Sequence, residues 1–137
     1  MQVNPQVTFD GQCREAFRFY ESCLGAHITF MTTYGDSPMA AQVPPEWGDR
    51  VMHATLELGG QVILTGGDAF PNDYRKPQGF GMQINLGDTQ QAESVFHALA
   101  ENGQMQMPLQ ETFWAKRFGM VTDRFGIPWM INCDGGS

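Results

Sequence analysis

Apolar residues fall at helical spacing in two stretches of the chain, and short runs of strand-forming residues surround each stretch. From Gln12 to Leu24, the residues Cys13, Ala16, Phe17, Tyr20 and Leu24 recur at i, i+3, i+4, i+7 and i+11, which is one face of a helix. Gly25 follows as the stop, where a left-handed backbone costs glycine nothing. A second helix is predicted at about 89–102, with Ala92, Val95, Phe96 and Leu99 as its stripe. Asp88 can cap it with Gln91 as capping-box partner, and Gly103 closes it. The segments 7–9, 27–33, 51–58 and 61–65 read as strands, the last two joined by Gly59-Gly60 as a hairpin. Residues 82–86, 105–112, 117–122 and 128–133 read likewise, with Phe125-Gly126 turning into the last.

A strand, a helix and three strands thus occur twice, which predicts a duplicated βαβββ module in one α+β domain spanning 1–137. Module one covers about 1–66, a linker 67–79, and module two about 80–137. One connection is unusually long. Tyr34 to Arg50 carries three prolines, two glycines, Met39 and an exposed-looking Trp47. Loops of this length tend to be functional, so a lid or dimer arm is expected here, a plain surface excursion being the alternative.

Composition narrows the classes of partner. Of 137 residues 42% are hydrophobic and 17% charged, which suits a globular core. The formal net charge of −7 leaves eight basic residues scattered among fifteen acidic ones, and nucleic acid is not expected as a partner. No apolar run approaches the roughly 20 residues of a membrane helix. The N-terminal MQVNPQVTFDG lacks the pattern of a signal peptide, so a cytoplasmic location is expected. The three cysteines, Cys13, Cys23 and Cys133, have no metal-type spacing. Cys13 and Cys23 lie about 15 Å apart along one helix, too far to bridge.

The stretch from Phe9 to Ala26, FDGQCREAFRFYESCLGA, resembles the opening of PhnB-like proteins of the glyoxalase/bleomycin-resistance (vicinal oxygen chelate) superfamily. Met52-His53-Ala54-Thr55-Leu56 before Gly59-Gly60 supports the match. So do Thr112-Phe113-Trp114, Phe118-Gly119, Asp123-Arg124-Phe125-Gly126 and Pro128-Trp129-Met130-Ile131-Asn132. The resemblance implies two βαβββ modules forming a curled, cup-shaped mixed sheet with outer helices, usually in a homodimer. It also implies a divalent metal at the base of the cup in many relatives, held from the first and last strand of each module.

Counting from the matched motifs, those four positions fall on Pro5, Leu64, Met82 and Met130. None offers a carboxylate or imidazole, and a thioether suits copper rather than zinc, magnesium or manganese. A shift of one residue brings in Gln83 or Ile131, and of two Asn132, with no carboxylate among them. No metal and no cofactor is therefore expected. Alternation along 51–58 puts His53, Thr55 and Glu57 on one face, and Met130 and Asn132 share a face of the last strand. The expected site is an apolar pocket lined by Leu64, Met82, Trp114, Met130 and Asn132. His53 is the candidate base, with Glu57 beside it. Trp114 is either a ring platform for a ligand or a cover for core or interface. Ubiquinone methylation, often assigned to PhnB-like proteins, needs a Gly-rich strand-to-helix turn on its usual fold, whereas the Gly-Gly pairs here fall in a hairpin and a linker. A protein binding an unidentified small molecule is the primary expectation. A metal-independent or metal-dependent lyase, isomerase or transferase acting on a small oxygen-rich substrate is the alternative.

Overall fold

Alternation along the first strands decides which residues meet the first helix. In a computed structural model describing residues 1–70 and 72–135, the chain divides into two units between Arg75 and Lys76. The first contains β1 (Gln6–Phe9), α1 (Cys13–Leu24), β2 (His27–Thr33), β3 (Val51–Leu58) and β4 (Gln61–Asp68). Its sheet has the order β1-β4-β3-β2, with β1 parallel to β4 and the other pairs antiparallel. Val7, Phe9, Ala54, Leu56 and Leu64 are buried, as are Cys13, Ala16, Phe17 and Tyr20 of α1. Burying a ring such as that of Phe17 is worth about 1.5–3 kcal/mol, so this shared layer holds the unit together. Gly59 and Gly60 both adopt positive φ (61° and 81°), the type I′ geometry that matches the twist of a hairpin.

β4 runs beyond Thr65 through Gly66-Gly67-Asp68, residues that read as linker in the sequence. The glycines are there for closeness rather than for turning. A Cβ on Gly66 would lie 2.8 Å from the Phe17 ring, and one on Gly67 would meet the Met52 carbonyl. Asp68 is buried, and its carboxylate accepts from the backbone N–H groups of Cys13 (3.0 Å) and Val51 (2.8 Å). It thereby ties the start of α1 to the start of β3.

The 34–50 excursion is folded on itself. Tyr34, Val43 and Trp47 form a small buried cluster against Met52, so the expectation that Trp47 is exposed is corrected. Trp47 sits in a short 3-10 turn (Pro45–Trp47), with the Arg50 guanidinium 4.0 Å from the centre of its ring. The Tyr34 hydroxyl donates to the Asp68 carbonyl (2.7 Å). Prolines and the absence of any period hid this core from a reading of the sequence.

The second unit repeats the plan: β5 (Met82–Leu86), α2 (Thr89–Ala100), β6 (Gln104–Gln110), β7 (Arg117–Thr122) and β8 (Pro128–Cys133). Its sheet order is β5-β8-β7-β6, with β5 parallel to β8. Ala92, Val95, Phe96 and Leu99 of α2 are buried, with Val121, Trp129, Ile131 and Cys133 buried in the strands. Asp88 does cap α2, accepting from the Gln90 N–H (3.0 Å). The left-handed residue after the helix is Asn102 (φ 59°) rather than Gly103, whose lack of a side chain instead lets it approach Thr122. The turn into β8 is built on Asp123, a buried carboxylate accepting from Phe125 N, Ile127 N and Trp129 Nε1.

Candidate ligand site

In each sheet the face turned from the helix carries polar side chains at alternate positions of its first strand. The strand registers place the two sheets in correspondence: Gln6 opposite Thr65 answers to Gln83 opposite Met130, and Thr8 opposite Gly67 to Asn85 opposite Asn132. Met130 therefore corresponds to Thr65, not to Leu64 as the motif count had it. Leu64 is fully buried in the helix-facing layer and Met82 pairs with buried Trp129, so both point away from the open faces. Pro5 precedes β1 and contributes a carbonyl to the Thr65 N–H (3.0 Å). Of the residues expected to line a pocket, Met130 and Asn132 lie on the open face of the second sheet.

Beside them stand two residues the motif count missed as a pair. Gln83 Nε2 donates to Asn85 Oδ1 (2.9 Å), and Asn132 Nδ2 donates to the same oxygen (3.3 Å). The signal was in the sequence: Met82-Gln83-Ile84-Asn85-Leu86 alternates strictly, which turns Gln83 and Asn85 to one face. Phe118 is the direct cross-strand neighbour of Asn132, and Met120 that of Met130. The Trp114 ring lies 5.2 Å from Phe118 and 4.7 Å from Phe113. Reciprocal bonds between Thr112 and Ala115 close the loop that carries Phe113 and Trp114, leaving them 97% and 50% exposed. At the carboxyl ends of β5 and β8 a groove of about 990 Å³ is lined by Asn85, Asn132, Asp88 and Asp134, with the Leu86-Gly87 turn. No Lys or Arg lines it among the described residues.

The first sheet places His53 and Glu57 differently from a catalytic pair. Four residues along a strand separate them by about 13 Å at ~3.3 Å per residue, so neither orients the other. His53 is partly buried, with its ring 6.0 Å from that of Phe30, and makes no side-chain hydrogen bond among the described residues. Glu57 pairs with His27 across β2. A pocket of about 350 Å³ elsewhere in this unit is lined by Gln6, Thr8, Tyr34, Met52 and Phe70 among others. Burial, and after it the Asp68 and Cys13 charges, raises the Tyr34 phenol above its usual range.

The residues do not fit a divalent metal. The outward positions of the first and last strands carry Gln6, Thr8 and Thr65 in one unit and Gln83, Asn85, Met130 and Asn132 in the other. Neutral amides and hydroxyls hold such ions weakly without a carboxylate or imidazole to anchor them. Among the described residues, no group of three or more His, Cys, Asp and Glu is arranged to hold a metal ion.

The family model of the Glyoxalase/Bleomycin resistance protein/Dioxygenase superfamily matches residues 2–131. The chain belongs to this superfamily. Within the glyoxalase/bleomycin resistance group it is 35% identical over 140 residues to Protein YjdN of Escherichia coli (strain K12), covering 96% of this chain and 95% of YjdN. The structure of protein PA1353 from Pseudomonas aeruginosa shares 44% identity with a TM-score of 0.89, covering 98% of both chains. A PhnB protein from Bacillus cereus, named as a candidate 3-demethylubiquinone-9 3-methyltransferase, shares 26% identity with a TM-score of 0.81. That match covers 97% of this chain and 99% of the PhnB protein. The duplicated βαβββ plan is the fold of this superfamily.

Proposed function

We propose that the chain is a small-molecule-binding protein that holds its ligand on the open face of the β5–β8 sheet without a metal. The observation that carries this reading is the Gln83–Asn85–Asn132 amide network, in which Asn85 and Asn132 line the groove and Asn132 faces Phe118, itself packed on Trp114. A few convergent polar groups among apolar and aromatic surface is the usual make-up of a ligand site. Catalysis by His53 is disfavoured because a general base is ordinarily held in place by a partner.

The test is a thermal-shift screen followed by titration of each hit into wild type, His53→Asn and Asn132→Leu, scoring both affinity and turnover. Binding without turnover, lost in Asn132→Leu and retained in His53→Asn, is the expected result. Turnover that disappears with the imidazole would refute it. A stoichiometric zinc, manganese, nickel or iron content in untagged protein purified without chelator would also refute it.

A homodimer in the cytoplasm belongs to the same proposal. The superfamily resemblance supports the first, and three free cysteines, two of them buried, support a reducing compartment. Light scattering that gives a monomer mass at tens of micromolar would remove the dimer. No helix among the described residues is long and apolar enough to cross a membrane.

A further inference from the structure

The amide network leaves donors and acceptors side by side, and that mixture narrows the ligand class. Gln83 Nε2 and Asn132 Nδ2 both give a proton to Asn85 Oδ1. What remains is one N–H on each of Gln83 and Asn132, both N–H groups of Asn85, and the carbonyl oxygens of Gln83 and Asn132 as acceptors. An anion would leave both carbonyl oxygens unanswered and would meet the Asp88 and Asp134 carboxylates that line the groove. A purely apolar ligand would strip water from three amides and return nothing to them. A hydroxyl both gives and accepts, and neighbouring hydroxyls on a ring repeat that alternation.

The aromatic element lies on the same face. Asn132 has Phe118 directly across the strand pair, and the Trp114 ring stands 5.2 Å beyond it. The C–H face of a saturated ring packs on such a surface while its hydroxyls turn toward the amides.

We infer, resting on the binding reading above, that the ligand is a polyhydroxylated ring without an anionic group, of the hexopyranoside class. Asn85 and Asn132 meet its hydroxyls, and Trp114 covers its apolar face. The groove of about 990 Å³ is large enough for such a ring with a substituent.

The experiment titrates ¹⁵N-labelled protein with phenyl hexopyranosides of gluco, galacto and manno configuration, with phenyl glucuronide, and with methoxybenzene. The side-chain amide resonances of Gln83, Asn85 and Asn132 and the Trp114 indole are followed. At least one neutral glycoside is expected to shift these signals and to bind at least tenfold more tightly than the glucuronide or methoxybenzene. Asn132→Leu and Trp114→Ala should each weaken it at least tenfold, with unchanged backbone spectra showing that both fold. If the glucuronide or methoxybenzene binds at these residues as tightly as every neutral glycoside, the ligand class is overturned and the binding reading stands. If these probes and every thermal-shift hit leave the three amides and Trp114 unmoved, both fall.

Discussion

Replacing Asp68 with asparagine changes one oxygen for one NH2 group at a site where two backbone N–H groups converge on a buried carboxylate. Asparagine keeps a single acceptor, so either the Cys13 or the Val51 N–H is left facing a donor. The lost charge-assisted bond is worth about 1.5–3 kcal/mol, and the stranded buried N–H adds about 1–3 kcal/mol. Part of this is offset because the neutral amide costs less to bury than the carboxylate. A net loss of about 3 kcal/mol follows, a large share of the ~5–15 kcal/mol that holds a typical domain. For a chain of this size that is roughly a 10 °C fall in Tm. The assay is urea unfolding followed by circular dichroism, with the midpoint falling at unchanged m. The Trp47 environment should also loosen, because Asp68 anchors both ends of the excursion through Val51 N and the Tyr34 hydroxyl. A loss below about 1 kcal/mol, or full retention of the excursion's resistance to protease, would refute the reasoning.

Gly66→Ala puts a methyl within 2.8 Å of the Phe17 ring and should cost about 1–3 kcal/mol by overpacking, partly recovered in the double variant with Phe17→Leu. Equal stability of the Phe17→Leu single and double variants would confirm it; no recovery would not. Burial, with Asp68 adding to it, pushes the Cys13 thiol far above its ordinary range, and the Tyr34 phenol is raised by the same causes. Both contributions are fully present below the unfolded pKa values of about 8.5 and 10 and are lost as pH rises past them. Stability should therefore fall by up to about 1.4 kcal/mol per pH unit per group, from about pH 8.5 for the thiol and about pH 10 for the phenol. Cys13→Ser should flatten the first part of that slope, and a midpoint unchanged between pH 8.5 and 10.5 would contradict the account.

The helices were legible because their stripes at Cys13, Ala16, Phe17 and Tyr20 and at Ala92, Val95, Phe96 and Leu99 obey one period over three turns. The Gly59-Gly60 hairpin was legible because that turn demands two positive φ values. Gly66-Gly67-Asp68 was not, because a glycine required by a neighbouring ring looks the same in sequence as one required by a turn. The site suffered from the period of two along a strand. A displacement of one residue exchanges Leu64 for Thr65 and Met82 for Gln83, which turns a buried apolar set into an outward polar one. The open-face position of Asn132 and Met130 was legible because the C-terminal motif fixes their register. Trp47 was misjudged because burial in an aperiodic loop depends on partners, here Tyr34 and Arg50, that no local pattern announces.

Asp68 lies opposite Phe9 at the end of β4, and Cys133 lies opposite Leu86 at the end of β8, so the two occupy the same place in the two halves. The difference follows the connections. The first half inserts residues 34–50 between its second and third strands, whereas the second joins β6 to β7 through residues 111–116. A long insertion brings its closing residue, Val51, back with an N–H to satisfy, and the carboxylate is its receptor. A short one makes no such demand, and an apolar thiol suffices. Loop and aspartate thus work as a unit: grafting the excursion into the second half should succeed only if Cys133 becomes an acid with it, and trimming it from the first should leave the Asp68 carboxylate with the Cys13 N–H as its remaining donor.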